Sequence, residues 1–233
     1  MIFENCGSMY KYWMDYVTEY AEGLANNEFK TEFEAIHDKG IKVTMSAIFP
    51  STDIYTTYFQ FHEGHLRQDY VRNSFSKYKF QEISSDMAMT YVSYVQNGKM
   101  KIDQFFFEVL VMGFMYTVLN GITTPELLKR KLEITTRHEF GHMLDFLKFI
   151  DCDHDEYRRM MDEDHRLYDE HWAYVREHNC DKYQEERLRR YYNIPCEAIA
   201  NRLGGVNTDE LIEIELKLAE NKRNKKTIEI REL

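Results

Sequence analysis

His138-Glu139-Phe140-Gly141-His142 places two imidazoles four residues apart, with a carboxylate beside the first. On an α-helix such residues lie one turn apart on the same face, so both rings can reach a single ion. Tetrahedral zinc accepts imidazole nitrogen, and a catalytic zinc site leaves one position to water. Glu139 is rotated around the helix from the two rings, so it can face that water and take its proton without ligating the metal. The spacing therefore supplies two metal ligands and a general base for attack on a peptide carbonyl.

Two histidines do not close a catalytic zinc site; a third protein ligand is needed. An extension of the form HExxHxxGxxH fails here, because Asp145 and Lys148 stand at the glycine and third-histidine positions. The best third ligand is Glu197, in Pro195-Cys196-Glu197-Ala198-Ile199-Ala200-Asn201. It falls in the first turn of an expected short helix, with Asn201 one turn later on the same face. Glu197 can then bind the ion while Asn201 holds a ligand histidine through its other ring nitrogen. Small Ala198 and Ala200 would permit close approach to the helix of His138. The plainer reading of Glu197 is an exposed first-turn glutamate favoured by the helix dipole. Cys196 beside it could be a ligand or a redox switch, although such cysteines more often serve as buried packing.

These residues must be carried by helices. Thr123-Thr124-Pro125-Glu126 has a threonine cap, an early proline and a first-turn acid, and opens a helix expected over 124–149. Leu128, Leu132, Thr135, Glu139, Met143 and Phe146 fall on one stripe of it. The charged segment Asp151 to Arg190, with Leu167, Trp172, Val175 and Leu188, reads as helical and largely exposed. Asn193-Ile194-Pro195 starts the short helix that Gly204-Gly205 ends. A last helix is expected over 208–224, with Asn207 and Glu210 at capping-box spacing.

Upstream, Tyr10, Trp13, Met14, Val17, Ala21 and Leu24 predict a helix over 8–25 that ends at Asn26-Asn27, and a shorter one runs from Lys30 to His37 before Gly40. The stretches Ile41 to Phe49, Ile54 to Phe61 and Met89 to Val95 are rich in Tyr, Thr, Val and Ile and suit strands. Asn97-Gly98 suits a hairpin turn, since both residues tolerate positive φ. Residues 66–76 are expected as a short helix. No internal repeat or linker interrupts the chain. The expectation is one α+β domain over 1–233, with an N-terminal helix and sheet (1–122), an active-site region (123–205) and a C-terminal helix (206–233).

With 233 residues, 43% hydrophobic and 30% charged, the chain can bury a sizeable core. A net charge of -10 argues against a nucleic-acid partner, which would need a concentrated basic face. The basic clusters, Arg187, Arg189 and Arg190 and then Lys222 to Lys226, sit among acids as solvated helix faces. No secretory signal is visible at Met1 to Cys6, and the most apolar stretch, Phe105 to Leu119, is too short for a membrane span and reads as core. Cys6, Cys152, Cys180 and Cys196 form no CxxC pair. Free thiols and a cytoplasmic location are expected. Few prolines and many Tyr, Phe, Asn and Lys hint at a low-GC bacterial or phage source. Two further acid-histidine groups carry plainer readings. His62-Glu63-Gly64-His65 has the wrong spacing and reads as a loop, and Asp151, Asp153, His154, Asp155 and Glu156 read as a solvated acidic turn lacking the spacing of a calcium loop.

His138-Glu139-Phe140-Gly141-His142 followed by Glu197-Ala198-Ile199-Ala200-Asn201 resembles the gluzincin clan of zinc metallopeptidases, closest in style to the minigluzincins and the ImmA/IrrE-type peptidases of phages and mobile elements. The resemblance covers residues 124 to 205. It implies Zn2+ held by His138, His142 and Glu197, with Glu139 as base and Asn201 in support. It also implies a zincin-like fold, a small twisted sheet preceding the active-site helix and the glutamate helix, and a protein or peptide substrate. In that clan a Tyr or His often stabilises the oxyanion, for which Tyr191, Tyr192, His171 and His178 are candidates. The interval from His142 to Glu197 is longer than in compact members, and the charged insert would fill it as a lid or partner surface. The competing reading is a non-catalytic zinc-containing structural, virion or interaction protein of phage or mobile-element origin, against which the presence of Glu139 argues. A toxin or inhibitor acting through the charged insert is a third.

Overall fold

Asn97 and Gly98 adopt φ of 53° and 73°, the paired left-handed conformation of a tight hairpin whose turn matches the twist of its strands. A computed structural model describes this hairpin within residues 2–47, 54–62, 65–73, 87–109, 123–178 and 185–231. The fold is mixed α+β. It divides into two compact units, residues 1–94 with 101–119, and residues 95–100 with 120–233.

The first unit opens with α1 (Ile2–Gly23), which begins earlier than expected. Trp13, Val17 and Ala21 of α1 are buried, and so is Leu24 beyond it. The helix does not stop at Asn26-Asn27. It widens into a π turn at Leu24–Glu28, where Asn27 Nδ2 donates to the carbonyl of Gly23 at 2.7 Å. Next, α2 (Lys30–Asp38) buries Phe33 and Ile36 and gives way at Gly40, whose φ is 72°. The strands are β1 (Lys42–Ala47), β2 (Ile54–His62), β3 (His65–Asn73), β4 (Met87–Gln96) and β5 (Lys99–Val109), arranged β3-β2-β1-β5-β4. The central pair β1 and β5 is parallel, with Lys42 opposite Gln104 and Ala47 opposite Val109, whereas β1–β2 and β2–β3 are antiparallel. Met100, Ile102, Phe105, Phe107 and Val109 of β5 are buried, so the apolar run from Phe105 is core as far as it is described. Residues 110–119 of that run lie outside the described residues.

Residues 66–73 correct an expectation. They form β3, not a helix, because their backbone pairs with β2 along its whole length from Ile54↔Asn73 to His62↔His65. A ladder of that length outweighs a weak local helical preference. His62 and His65 are therefore facing strand ends and not loop residues; Glu63 and Gly64, like residues 74–76, lie outside the described residues.

In the second unit α3 (Pro125–Phe146) starts as expected: Thr124 Oγ1 accepts from Leu127 N at 3.2 Å and Pro125 occupies the first turn. The expected last turn of α3 is a 3₁₀ segment, Leu147–Phe149. The chain then reverses at Asp151, with φ of 66°, and the hairpin tip pairs there, Met100 N donating to Cys152 O at 3.0 Å and Asp151 N to Met100 O at 2.8 Å. Asp153 caps α4 (His154–Glu177) by accepting from Asp155 N at 2.9 Å, so the acidic group of 151–156 is a turn and a cap. There follow α5 (Glu185–Tyr192), α6 (Pro195–Leu203) and α7 (Thr208–Arg231), the last running beyond its expected end.

α7 is fastened to α3 by charge and by core. Arg130 meets Glu210 through two bonds of 2.6 and 2.8 Å, and Lys131 pairs with Glu215. Ile134, Tyr192, Leu211, Ile212 and Ile214 form one buried cluster. Asn207 Oδ1 caps α7 through Asp209 N and Glu210 N, but the Glu210 carboxylate is turned to Arg130 and does not complete a capping box. Among the described residues, no helix is long and apolar enough to cross a membrane, and Cys152 and Cys196 are free thiols.

Candidate metal centre

Helices α3 and α6 meet more closely than side chains would ordinarily allow. A Cβ added at Gly141 would stand 1.9 Å from the carbonyl oxygen of Ala200, and one added at Gly204 would stand 2.0 Å from that of Arg137. Gly141 and Gly204 thus let two helix backbones touch, which sets the distance from the histidines of α3 to Glu197 of α6. Ala200 is buried at this contact, as its size suggested, whereas Ala198 faces outward.

His138, His142 and Glu197 each offer a ligand atom, all within 4.8 Å of one another, and they are the one group of this kind among the described residues. The two Nε2 atoms are 3.1 Å apart. Oε2 of Glu197 lies 3.0 Å from His138 Nε2 and 3.6 Å from His142 Nε2. Only 2% of Glu197 is exposed, and its Oε2 faces the two imidazoles at these distances without an assigned hydrogen bond. Two imidazole nitrogens and a buried carboxylate oxygen drawn together in this way could hold a metal ion.

Asn201 lies against the other ring nitrogen of His138. Its Oδ1 lies 2.7 Å from His138 Nδ1, and its Nδ2 donates to Thr208 Oγ1 at 3.0 Å. Because the threonine oxygen receives the amide NH₂, the amide oxygen is the atom turned to the ring. His138 then carries its proton on Nδ1 and presents the Nε2 lone pair inward. Thr208, at the first position of α7, was not singled out by sequence; its signal was the hydroxyl at the expected start of the last helix.

Oε1, the other oxygen of Glu197, is held by two phenols. Tyr191 Oη donates to it at 3.1 Å, and Tyr168 Oη does the same. Cys196 Sγ lies 3.2 Å from Tyr168 Oη and donates to it, so the cysteine is a partly hydrogen-bonded packing residue. Tyr192 is buried, with its ring edge-on to His138 at 6.0 Å between centroids. His171 is buried on the flank of Tyr191 with neither ring nitrogen hydrogen-bonded, and His178 stacks on Tyr174 at the surface. Of the four oxyanion candidates, then, Tyr191 is turned to Glu197, Tyr192 and His171 are packed, and His178 is exposed. Tyr168 was missed by sequence.

Electrostatics follow the burial. Burial alone would raise the Glu197 carboxyl, but the adjoining His138 and His142 outweigh it and hold the group well below the usual carboxylate range. Burial likewise opposes charge on His138, and there the Glu197 contact and the Glu139 charge win and raise its pKa. Both phenols are pushed upward, first by burial and then by the Glu197 charge, so they remain donors. Burial drives the Cys196 thiol up to about 11, which leaves it protonated and unreactive. Glu139 is itself buried on α3, near enough for its charge to be felt at His138 and Tyr191. Among the basic residues, Arg189 is answered by Glu185 and Asp209, while Arg187 and Arg190 lie over the rings of Trp172 and Tyr174. No family model, curated protein or solved structure matches the chain.

Proposed function

We propose that this chain is a zinc-dependent peptidase of gluzincin type, with His138, His142 and Glu197 as metal ligands, Glu139 as general base and a protein or peptide as substrate. The observation that carries the reading is Oε2 of Glu197: a fully buried carboxylate oxygen with no hydrogen bond, aimed between two Nε2 atoms. A cation between these atoms would give the oxygen and both nitrogens a common partner. The order of elements along the chain, a small sheet followed by the histidine helix and then the glutamate helix, also suits a zincin-like fold.

Each residue then has a distinct task. Zinc, when bound, supplies Lewis-acid charge that acidifies a water and polarises a carbonyl. His138 and His142 would offer their Nε2 atoms to the ion, the first ring held by Asn201 and Thr208. Glu197 brings one negative charge. Glu139, between the two histidines in sequence and ligating nothing, receives a proton during attack and returns it to the leaving amine.

Metal analysis of the purified protein, together with cleavage of a peptide library, tests the proposal. About one zinc per chain is expected in the wild type, none in His142→Ala or Glu197→Ala, and a full complement in Glu139→Gln. Glu139→Gln should cleave roughly 10²–10⁴-fold more slowly. Zinc without cleavage of any peptide would favour the non-catalytic zinc protein. No zinc after reconstitution would end both readings.

A further inference from the structure

The charged insert reaches into the metal centre. Its helix α4 is the expected lid or partner surface, and most of it is exposed. Yet Tyr168, midway along α4, places its hydroxyl on Glu197 Oε1, and Tyr191 at the end of α5 places a second hydroxyl on the same atom. The two donors approach from different helices. Tyr168 is itself fixed, since its oxygen accepts from Cys196 Sγ, one residue before Glu197. One carboxylate oxygen is therefore occupied from two sides while the other has no hydrogen bond.

We infer that Tyr168 and Tyr191 are positioning residues that make Glu197 a single-oxygen ligand and keep the water's coordination position open, an assignment that rests on the peptidase reading above. A carboxylate bound through one oxygen gives, with two imidazoles, three ligand atoms and one position for water. A carboxylate free to rotate can bring both oxygens to the ion, and the second then competes for the water's place. With two donors on Oε1, that rotation would break two hydrogen bonds to a charged group, which are stronger than bonds between neutral partners. The insert is thus a part of the centre: without α4 one of the two restraints on Glu197 is gone.

The test uses full-length Tyr168→Phe, Tyr191→Phe and the double variant, with circular dichroism to verify the fold. Zinc affinity is measured by chelator competition, and the visible spectrum is recorded with Co(II) in place of zinc. The wild type should give the intense bands of four-coordinate Co(II). The double variant should still bind one ion per chain, about 10–100-fold more weakly, with the weaker bands of five-coordinate Co(II). The single variants should fall between, and they carry the test if the double variant does not fold. A spectrum and affinity unchanged in the variants would overturn the inference while leaving the peptidase reading intact. So would a variant with lowered thermal stability alone, because a merely structural role would not change the metal's coordination. A wild type that takes up neither metal would overturn both.

Discussion

Replacing Gly141 with alanine should separate the two helices that carry the proposed metal ligands. The added Cβ would lie 1.9 Å from the Ala200 carbonyl oxygen, 2.6 Å from its carbon and 2.9 Å from its Cα, whereas ordinary contacts begin at 3.4 Å. All three atoms are backbone, so no side chain can swing aside, and α6 must retreat from α3 by about 1.5 Å or tilt. Overpacking of this kind costs about 1–3 kcal/mol, and a backbone clash belongs at the upper end. Against it stands the gain of about 1 kcal/mol that alanine brings to a helix interior. The net expectation is a loss of about 2 kcal/mol in the metal-free protein, read from the urea midpoint at unchanged slope. Zinc should suffer more. Ligand distances are tolerated within about 0.2 Å, and the required retreat is several times larger. Gly23→Ala is the matched control: nothing lies within 4 Å of its added Cβ, φ is -58°, and the change should be neutral or stabilising by up to about 1 kcal/mol. If Gly141→Ala has wild-type stability and zinc affinity, the close contact does not hold the site together and the reasoning fails.

Two further outcomes follow from the same contacts. Thr208→Val removes the acceptor of Asn201 Nδ2, frees the amide to turn over, and should loosen zinc about 10-fold with little change in the fold, as chelator competition would show. The pKa of His171 is held below its usual value by burial and then by the charges of Arg187 and Arg190. The folded protein therefore binds fewer protons there than the unfolded chain below about pH 6.5, so stability falls as the pH drops from that value to the folded pKa. His171→Phe should flatten that part of the profile when urea midpoints at about pH 7.5 and about pH 5 are compared; an unchanged slope would show that His171 does not contribute.

What could be read from sequence was local. Thr124, Pro125 and the apolar stripe of α3 announce a helix through residues a few positions apart, and Glu197 with Asn201 does the same within α6. The Asn97-Gly98 turn carried its signal in two residues. Tyr168 was hidden because nothing nearby marks it, since Glu163, Arg166, Asp169 and Glu170 surround it. One trace was present. Tyr157, Met161, Asp164, Tyr168, His171 and Val175 recur at alternating steps of four and three, and all are at least partly buried in a helix that is mostly exposed. Asp164 and His171, polar types at two of those six positions, mask the stripe to an eye trained on apolar periodicity. The strand at 65–73 was illegible for the opposite reason: its conformation is imposed by a partner, β2, and not by its own residues.

The centre also places a demand on the stability of the chain. Glu197 is charged and buried, and of its two oxygens one is answered by phenols and the other by nothing but the approach of two imidazoles. The two imidazoles outweigh the burial penalty on this carboxylate, yet a buried ionic cluster often adds no more stability than packed apolar residues of similar volume would, so a bound cation has stability left to add. A cation that binds only the folded chain stabilises it by about 4 kcal/mol when present at a thousandfold excess over its Kd. Folding and metal uptake should therefore be linked in this unit: the close contact at Gly141 and Gly204, the Asn201–Thr208 bond and the two tyrosines all hold a site formed only in the folded chain. Tight zinc binding and a large rise in melting temperature on metal addition are then two faces of one free energy. A melting temperature indifferent to zinc in a protein that binds it tightly would contradict that linkage.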